Sequence, residues 1–263
     1  MTTLTMADHV AAHEAMYAHY DELCGRLTTE ELAIPSLCPD WDVRGVLSHV
    51  IGVEHVLYGW APSPDEPPPF DRLGAFQAEM ADLDPAALAT RVAEVTSSRL
   101  GHLRSLDPTV VDAPSFTPTG IATYGDFLRI RVFDLWVHAR DIAIPMGERL
   151  GDAGAPAAMA LDEVASAIGY IVGKKVGLPD GMSVVFHVIG GVERDLAVVV
   201  DGRASAVDAV ESPDVEVTAD VETFVMLACG RIDPQARIDS GRISWTGDGE
   251  WGERTARNLA YTM

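Results

Sequence analysis

The stretch RVFDLWVHARD, Arg131 to Asp141, sets the strongest constraint on how this chain folds. It places four polar residues at spacings of three, four and three inside a run that is otherwise mostly apolar. At about 3.6 residues per turn, Arg131, Asp134, His138 and Asp141 fall in one column on a helix. Phe127, Ile130, Val132, Phe133, Leu135, Trp136, Val137 and Ile142 flank that column, an apolar surface far wider than the roughly 100° stripe of a helix lying on a core. The spacing therefore predicts a deeply buried helix. Unpaired charge is costly there, so each member of the column requires a partner or a metal. Two readings stay open on these residues alone. One is a pair of helix ion pairs, Arg131 with Asp134 and His138 with Asp141. The other is a carboxylate and an imidazole four residues apart, Asp134 and His138, aimed at one point as helix-borne metal ligands are.

Charge narrows the partners. Lys and Arg total 19 against 40 Asp and Glu, a formal charge of −21, which repels phosphate backbones and anionic membrane surfaces. Neither nucleic acid nor a membrane is an expected partner. No apolar stretch approaches the roughly 20 residues that span a bilayer, and MTTLTMADHVAAHEAM has no basic or hydrophobic region of the signal-peptide kind; the expected location is cytoplasmic. The three cysteines, Cys24, Cys38 and Cys229, are scattered without a C-x-x-C spacing. They read as reduced, partly buried thiols that form no disulfide and ligate no metal.

The first half of the chain reads as four helices with clear punctuation. The first runs from Asp8 to Leu27. CPDW supplies a proline and a capping aspartate for a second, from about Trp41 to Trp60, with Val43, Val46, Leu47, Val50, Val53 and Leu57 on its apolar side. APSPDEPPPF is too proline-rich for anything but a loop. The third runs from Pro85 to about Leu106, and the fourth, from Tyr124 to about Pro145, carries the column. Four such helices predict an all-α four-helix bundle over residues 1–150, the architecture in which metal sites are built from facing helices. GERLGDAGAPAA, residues 147–158, reads as a linker. Beyond it, helical ALDEVASAIGYIV, strands SVVFHVIG, DLAVVVDG, VEVTA and ARIDSGRISW, and helices TADVETFVMLACG and EWGERTARNLAYT predict a small α+β domain over residues 158–263.

His49 sits on the second helix beside Val46, Val50 and Val53, so its ring faces the bundle interior or runs along it. A lone histidine there is ordinarily a core residue bonded to a carbonyl. His55, six positions on, faces another side, and the His9/His13 pair reads as a solvated terminal face.

The block CPDWDVRGVLSHVIGVEHVL, followed at Arg131 by RVFDLWVHARDIA, resembles the DinB/YfiT-like metalloenzymes, specifically the mycothiol-dependent maleylpyruvate isomerase family. VEVTADVETFVMLACGRIDP and GDGEWGERTARNL are similar to the sterol-carrier-like α+β domain that many members append, so the resemblance covers nearly the whole chain. It implies one divalent metal, usually zinc, held by a histidine of the second helix and by an acid and a histidine four apart on the last: here His49, Asp134 and His138. The family commonly has Glu where this chain has Asp134, a side chain one methylene shorter. The resemblance also implies a low-molecular-weight thiol, mycothiol, as cosubstrate and a small-molecule electrophile as substrate. Three protein ligands leave zinc an open position for that thiol. Asp141 then becomes a candidate acceptor for a ligand histidine, and Arg131 a candidate partner of Asp134 or of an acidic substrate. Thiol transfer or isomerisation is the expected chemistry. Metal-assisted hydrolysis fits the same ligands, as does a non-catalytic, metal-stabilised protein that binds a hydrophobic ligand.

Overall fold

Thr5 opens the first helix with a capping box: its hydroxyl accepts from the Asp8 N–H while the Asp8 carboxylate takes the Thr5 N–H. The computed structural model, which describes residues 4–262, divides after Leu150 into two compact units.

In the first unit, helix α1 covers Met6–Cys24 and a one-turn α2 covers Thr29–Leu32. Helix α3, Val43–Val56, starts at Asp42, whose carboxylate accepts from the Gly45 N–H. Helix α4, Leu73–Ala81, follows the proline-rich loop, and α5, Pro85–Ser105, begins at the cap Asp84 with proline in its first turn. A short hairpin, β1 Pro114–Thr117 and β2 Gly120–Thr123, feeds α6, Tyr124–Ala143, through a further capping box made by Thr123 and Asp126. Helices α1 and α3 each pack against both α5 and α6, which makes these four the bundle. Helix α4 lies on α3 at Gly52. A Cβ at Gly52 would stand 2.6 Å from Leu73 Cδ1 and 2.9 Å from Phe76 Cδ1, so the absence of a side chain is what lets the two helices approach.

The second unit begins with α7, Gly154–Ser166, the one-turn α8, Ile168–Tyr170, and a π-turn, Ile171–Val176. Five strands follow: β3 Ser183–Ile189, β4 Arg194–Asp201, β5 Arg203–Val207, β6 Val215–Asp220 and β7 Ile243–Gly247. Their order is β5-β4-β3-β6-β7, with β3 and β6 parallel and the other pairs antiparallel. Between β6 and β7 lie α9, Val221–Ala228, and α10, Pro234–Asp239; α11, Gly249–Arg257, comes last. Helix α9 packs on β3 and β6, where Phe224 meets Phe186 at 5.4 Å between ring centres.

The chain is thus a helical bundle followed by an α+β unit. Four local expectations are corrected. The segment read as linker is helical from Gly154, because alanines carry α7 on to the apolar ladder. ARIDSGRISW is half helix and half strand, since Asp233 and Pro234 start α10 before β7 begins at Ile243. Helix α4 and the β1–β2 hairpin fall in stretches to which the sequence assigned no element. Among the described residues no single helix is long and apolar enough to cross a membrane.

Candidate metal centre

Helix α6 is buried along most of its circumference, as its composition requires. Its polar column meets partners at every step. Arg131 Nη1 donates to Asp134 Oδ2 at 2.8 Å. The same guanidinium sends Nε and Nη2 to Glu54 Oε1 on α3, at 3.0 and 2.8 Å. Glu54 has no solvent access; its other oxygen accepts the Tyr17 hydroxyl at 2.5 Å and Arg99 Nε at 3.4 Å. Two carboxylates and two guanidiniums therefore alternate through the bundle core, each charge facing an opposite one.

Farther along the column, His138 lies between two acids of its own helix. Its Nδ1 donates to Asp141 Oδ2 at 2.9 Å, and its Nε2 stands 3.5 Å from Asp134 Oδ1. From α3, the His49 ring approaches the His138 ring edge-on, 5.2 Å between centres, and Trp41 packs against His49 at 4.9 Å. One donor atom from each of His49, Asp134 and His138 lies within 4.8 Å of the others. His138 is 5 % exposed, but the Asp134 side chain keeps 28 % of its surface and His49 is half-buried, so the cluster opens to solvent on the Asp134/His49 side.

Electrostatics follow from this arrangement. Burial alone would raise the Asp134 carboxyl, but Arg131 and, after it, His138 and His49 hold it down at about 2. Burial would lower His138, yet Asp134, Asp141 and Cys38 bring it up to about 10. At His49 burial outweighs the pull of Asp134, and with His138 and Arg131 opposing a second positive charge the ring falls to about 4. The pocket thus attracts positive charge, and a proton on His138 meets that demand when no other cation does. The donors suit a divalent metal. Bonds of about 2.0–2.1 Å to nitrogen and oxygen set tetrahedral ligand atoms roughly 3.4 Å apart, close to the 3.5 Å between His138 Nε2 and Asp134 Oδ1. Asp141 on Nδ1 leaves Nε2 as the free donor, the usual arrangement behind a ligating histidine.

Several participants escaped the sequence reading. Glu54, Arg99 and Tyr17 form the buried network behind Asp134. The signal for Tyr17 was the polar face of α1 and that for Glu54 a glutamate among valines on α3; Arg99, on α5, had none. The His9/His13 pair is not a solvated face: both are buried, and His13 Nδ1 donates to the His9 carbonyl at 2.8 Å. Cys38, 100 residues from His138 in sequence, brings Sγ to 3.1 Å from Asp141 Oδ2 and 3.6 Å from His138 Nδ1. None of the three cysteines is in a disulfide. His55 points elsewhere and stacks on Phe76 at 4.7 Å.

Comparison with known proteins matches residues 13–143 to the mycothiol maleylpyruvate isomerase N-terminal domain and residues 158–254 to the C-terminal domain of the same family. Two uncharacterized proteins of Mycobacterium tuberculosis, from strains CDC 1551 and H37Rv, are each 25% identical over 143 residues, 54% of this chain and 69% of theirs. The crystal structure of a mycothiol-dependent maleylpyruvate isomerase superposes with a TM-score of 0.61 at 18% identity, covering 94% of this chain and 96% of that one. A histidine-to-alanine mutant of an enzyme of the same name gives 0.60 over the same shares. The structural likeness shows the shared fold, and the two domain matches span most of the sequence: the chain belongs to the mycothiol maleylpyruvate isomerase family.

Proposed function

We propose that this protein is a mycothiol-dependent isomerase or thiol transferase acting on a small electrophile, with a divalent metal, zinc by preference, held on His49, Asp134 and His138. The observation that carries the reading is the division of labour at His138: Asp141 takes Nδ1, and Nε2 faces the Asp134 carboxylate and the ring of His49. A bound zinc with three protein ligands keeps one open position and lowers the pKa of a thiol placed there, so that a thiolate is available at neutral pH.

The residues of the chain prepare for that chemistry. Asp141 fixes the tautomer and tilt of His138. Arg131 binds Asp134 through Oδ2 and leaves Oδ1 on the His138 side. Because Asp134 engages Nη1 while Glu54 engages Nε and Nη2 of the buried Arg131, Arg131 serves to orient Asp134. The solvent-facing edge of Asp134 and His49 leaves room for a cosubstrate, and Trp41 limits how far His49 can swing. The relative of known structure is a maleylpyruvate isomerase by name, and a small conjugated acid of that kind is the electrophile we assign to this chain.

Metal analysis of the purified protein, paired with turnover assays on maleylpyruvate and other electrophiles with and without mycothiol, tests the reading. It requires one divalent metal per chain and turnover that depends on thiol. Full activity without thiol would replace it with metal-assisted hydrolysis.

A further inference from the structure

We infer that Cys38 is a positioning residue of this centre: its thiol, by donating to Asp141, holds the carboxylate that orients His138. The inference rests on the metal reading above. The loop that carries Cys38 is pinned from within, because Ser36 Oγ donates to the Trp41 carbonyl at 2.8 Å, the Cys38 N–H donates to Ser36 Oγ at 3.0 Å, and the Trp41 N–H donates to the Cys38 carbonyl at 3.2 Å. Asp40 turns the chain with φ of 67°, a left-handed conformation that aspartate tolerates better than most residues.

That loop grips the end of α6 twice at one residue. The Leu37 N–H donates to the Asp141 carbonyl at 3.0 Å, and the Cys38 thiol donates to the Asp141 carboxylate at 3.1 Å. Three residues after Cys38, Trp41 lies against His49. A single turn of chain therefore supports both histidines, one through a carboxylate and one through a ring face.

The carboxylate of Asp141 is fully buried, and Oδ2 accepts from both His138 Nδ1 and Cys38 Sγ. With the thiol as donor, the Oδ2 lone pair not used by the imidazole has a defined direction, and the carboxylate plane cannot rotate away from Nδ1 without breaking a second bond. Partners of ligating histidines set metal affinity by fixing ring orientation. The same three side chains also have donor types suited to a soft metal of their own; that alternative requires Nδ1 to lose its proton to a second ion.

Cobalt(II) titration of the full chain separates these cases by visible absorption, using the unaltered protein, Cys38→Ala and Cys38→Ser. The expected result is one cobalt per chain in the unaltered protein, affinity about 10–100-fold weaker in Cys38→Ala, and recovery to within a few-fold in Cys38→Ser, whose hydroxyl also donates. Affinity unchanged in Cys38→Ala, Cys38→Ser as weak as Cys38→Ala, or two cobalt ions per chain would each overturn the inference while leaving the three-ligand centre standing. No cobalt uptake by the unaltered protein would overturn both. The S–H infrared stretch of the unaltered, cobalt-loaded protein gives a check that does not depend on how the variants fold. One of its three thiol bands should be shifted down by hydrogen bonding to a carboxylate, and the absence of a shifted band counts against the inference.

Discussion

Arg131 on α6 and Glu54 on α3 are joined by two hydrogen bonds to one carboxylate oxygen, at 3.0 and 2.8 Å, in a part of the bundle where Glu54 has no contact with water. Breaking such a pair from one side strands the other charge. Glu54→Ala leaves Arg131 and Arg99 without their shared acceptor, and a loss of roughly 3–5 kcal/mol follows for the helical unit. Urea unfolding monitored by far-ultraviolet circular dichroism measures it. A change under about 1 kcal/mol, the scale of an exposed pair, would mean that water reaches the network.

Metal retention should follow the geometry of the cluster. His49→Ala and His138→Ala are each expected to reduce bound metal in the purified protein to a small fraction of one equivalent, because two remaining ligands hold zinc poorly. Elemental analysis decides, with native gel filtration confirming that the variants stay folded. Full metal content in both variants would remove these residues as ligands.

Acid should weaken the bundle through the histidines of α1. Burial lowers His13 to about 4 and His9 to about 4, whereas both ring pKa values lie near 6.5 when the chain is unfolded. Between those values the unfolded state binds protons that the folded state refuses, so stability is complete above about pH 6.5 and falls as pH drops toward 4. Denaturant midpoints measured across that interval should decline, and less steeply in His13→Gln. A flat profile in the parent would show that the rings are protonated in the folded chain.

Limited proteolysis is expected to cut first between Gly147 and Ala153, where no helix or strand holds the backbone, or in the proline-rich run before Phe70. First cleavage within α7 would show that this helix frays in solution. Mass spectrometry of the early fragments identifies the bonds.

What could be read in advance was whatever depends on local period. The column on α6 follows from counting residues, and so does the shared face of Asp134 and His138. CPDW points to Asp40 as the cap of the second helix, but the cap is Asp42, two residues on, because Asp40 takes the left-handed turn before it. His49 was different. Its place opposite α6 is a product of how two helices pack, and the sequence pointed to it only through the family resemblance. Cys38 gave no local signal, because its partner Asp141 is 103 residues away and cysteine spacing speaks to disulfides and zinc motifs, not to a thiol donating to one carboxylate. The His9/His13 pair was misread because α1 mixes histidine, tyrosine and glutamate around its surface, and its buried stripe is itself polar. Helix α4 was hidden by the prolines before it; its short length makes it depend on packing against Gly52.

The two donors on α6 stand one helical turn apart, so their separation is set by pitch and is nearly indifferent to how the bundle is assembled. His49 alone depends on the seating of α3. Tolerance in this cluster is therefore directional: a substitution between α3 and α6 moves one vertex of the triangle and leaves the opposite edge as a fixed ruler. Val53 of α3, buried in one cluster with Phe127 and Leu128 of α6, would thus be a means of retuning the cation size that the proposed centre accepts, with the residues on α6 left as they are.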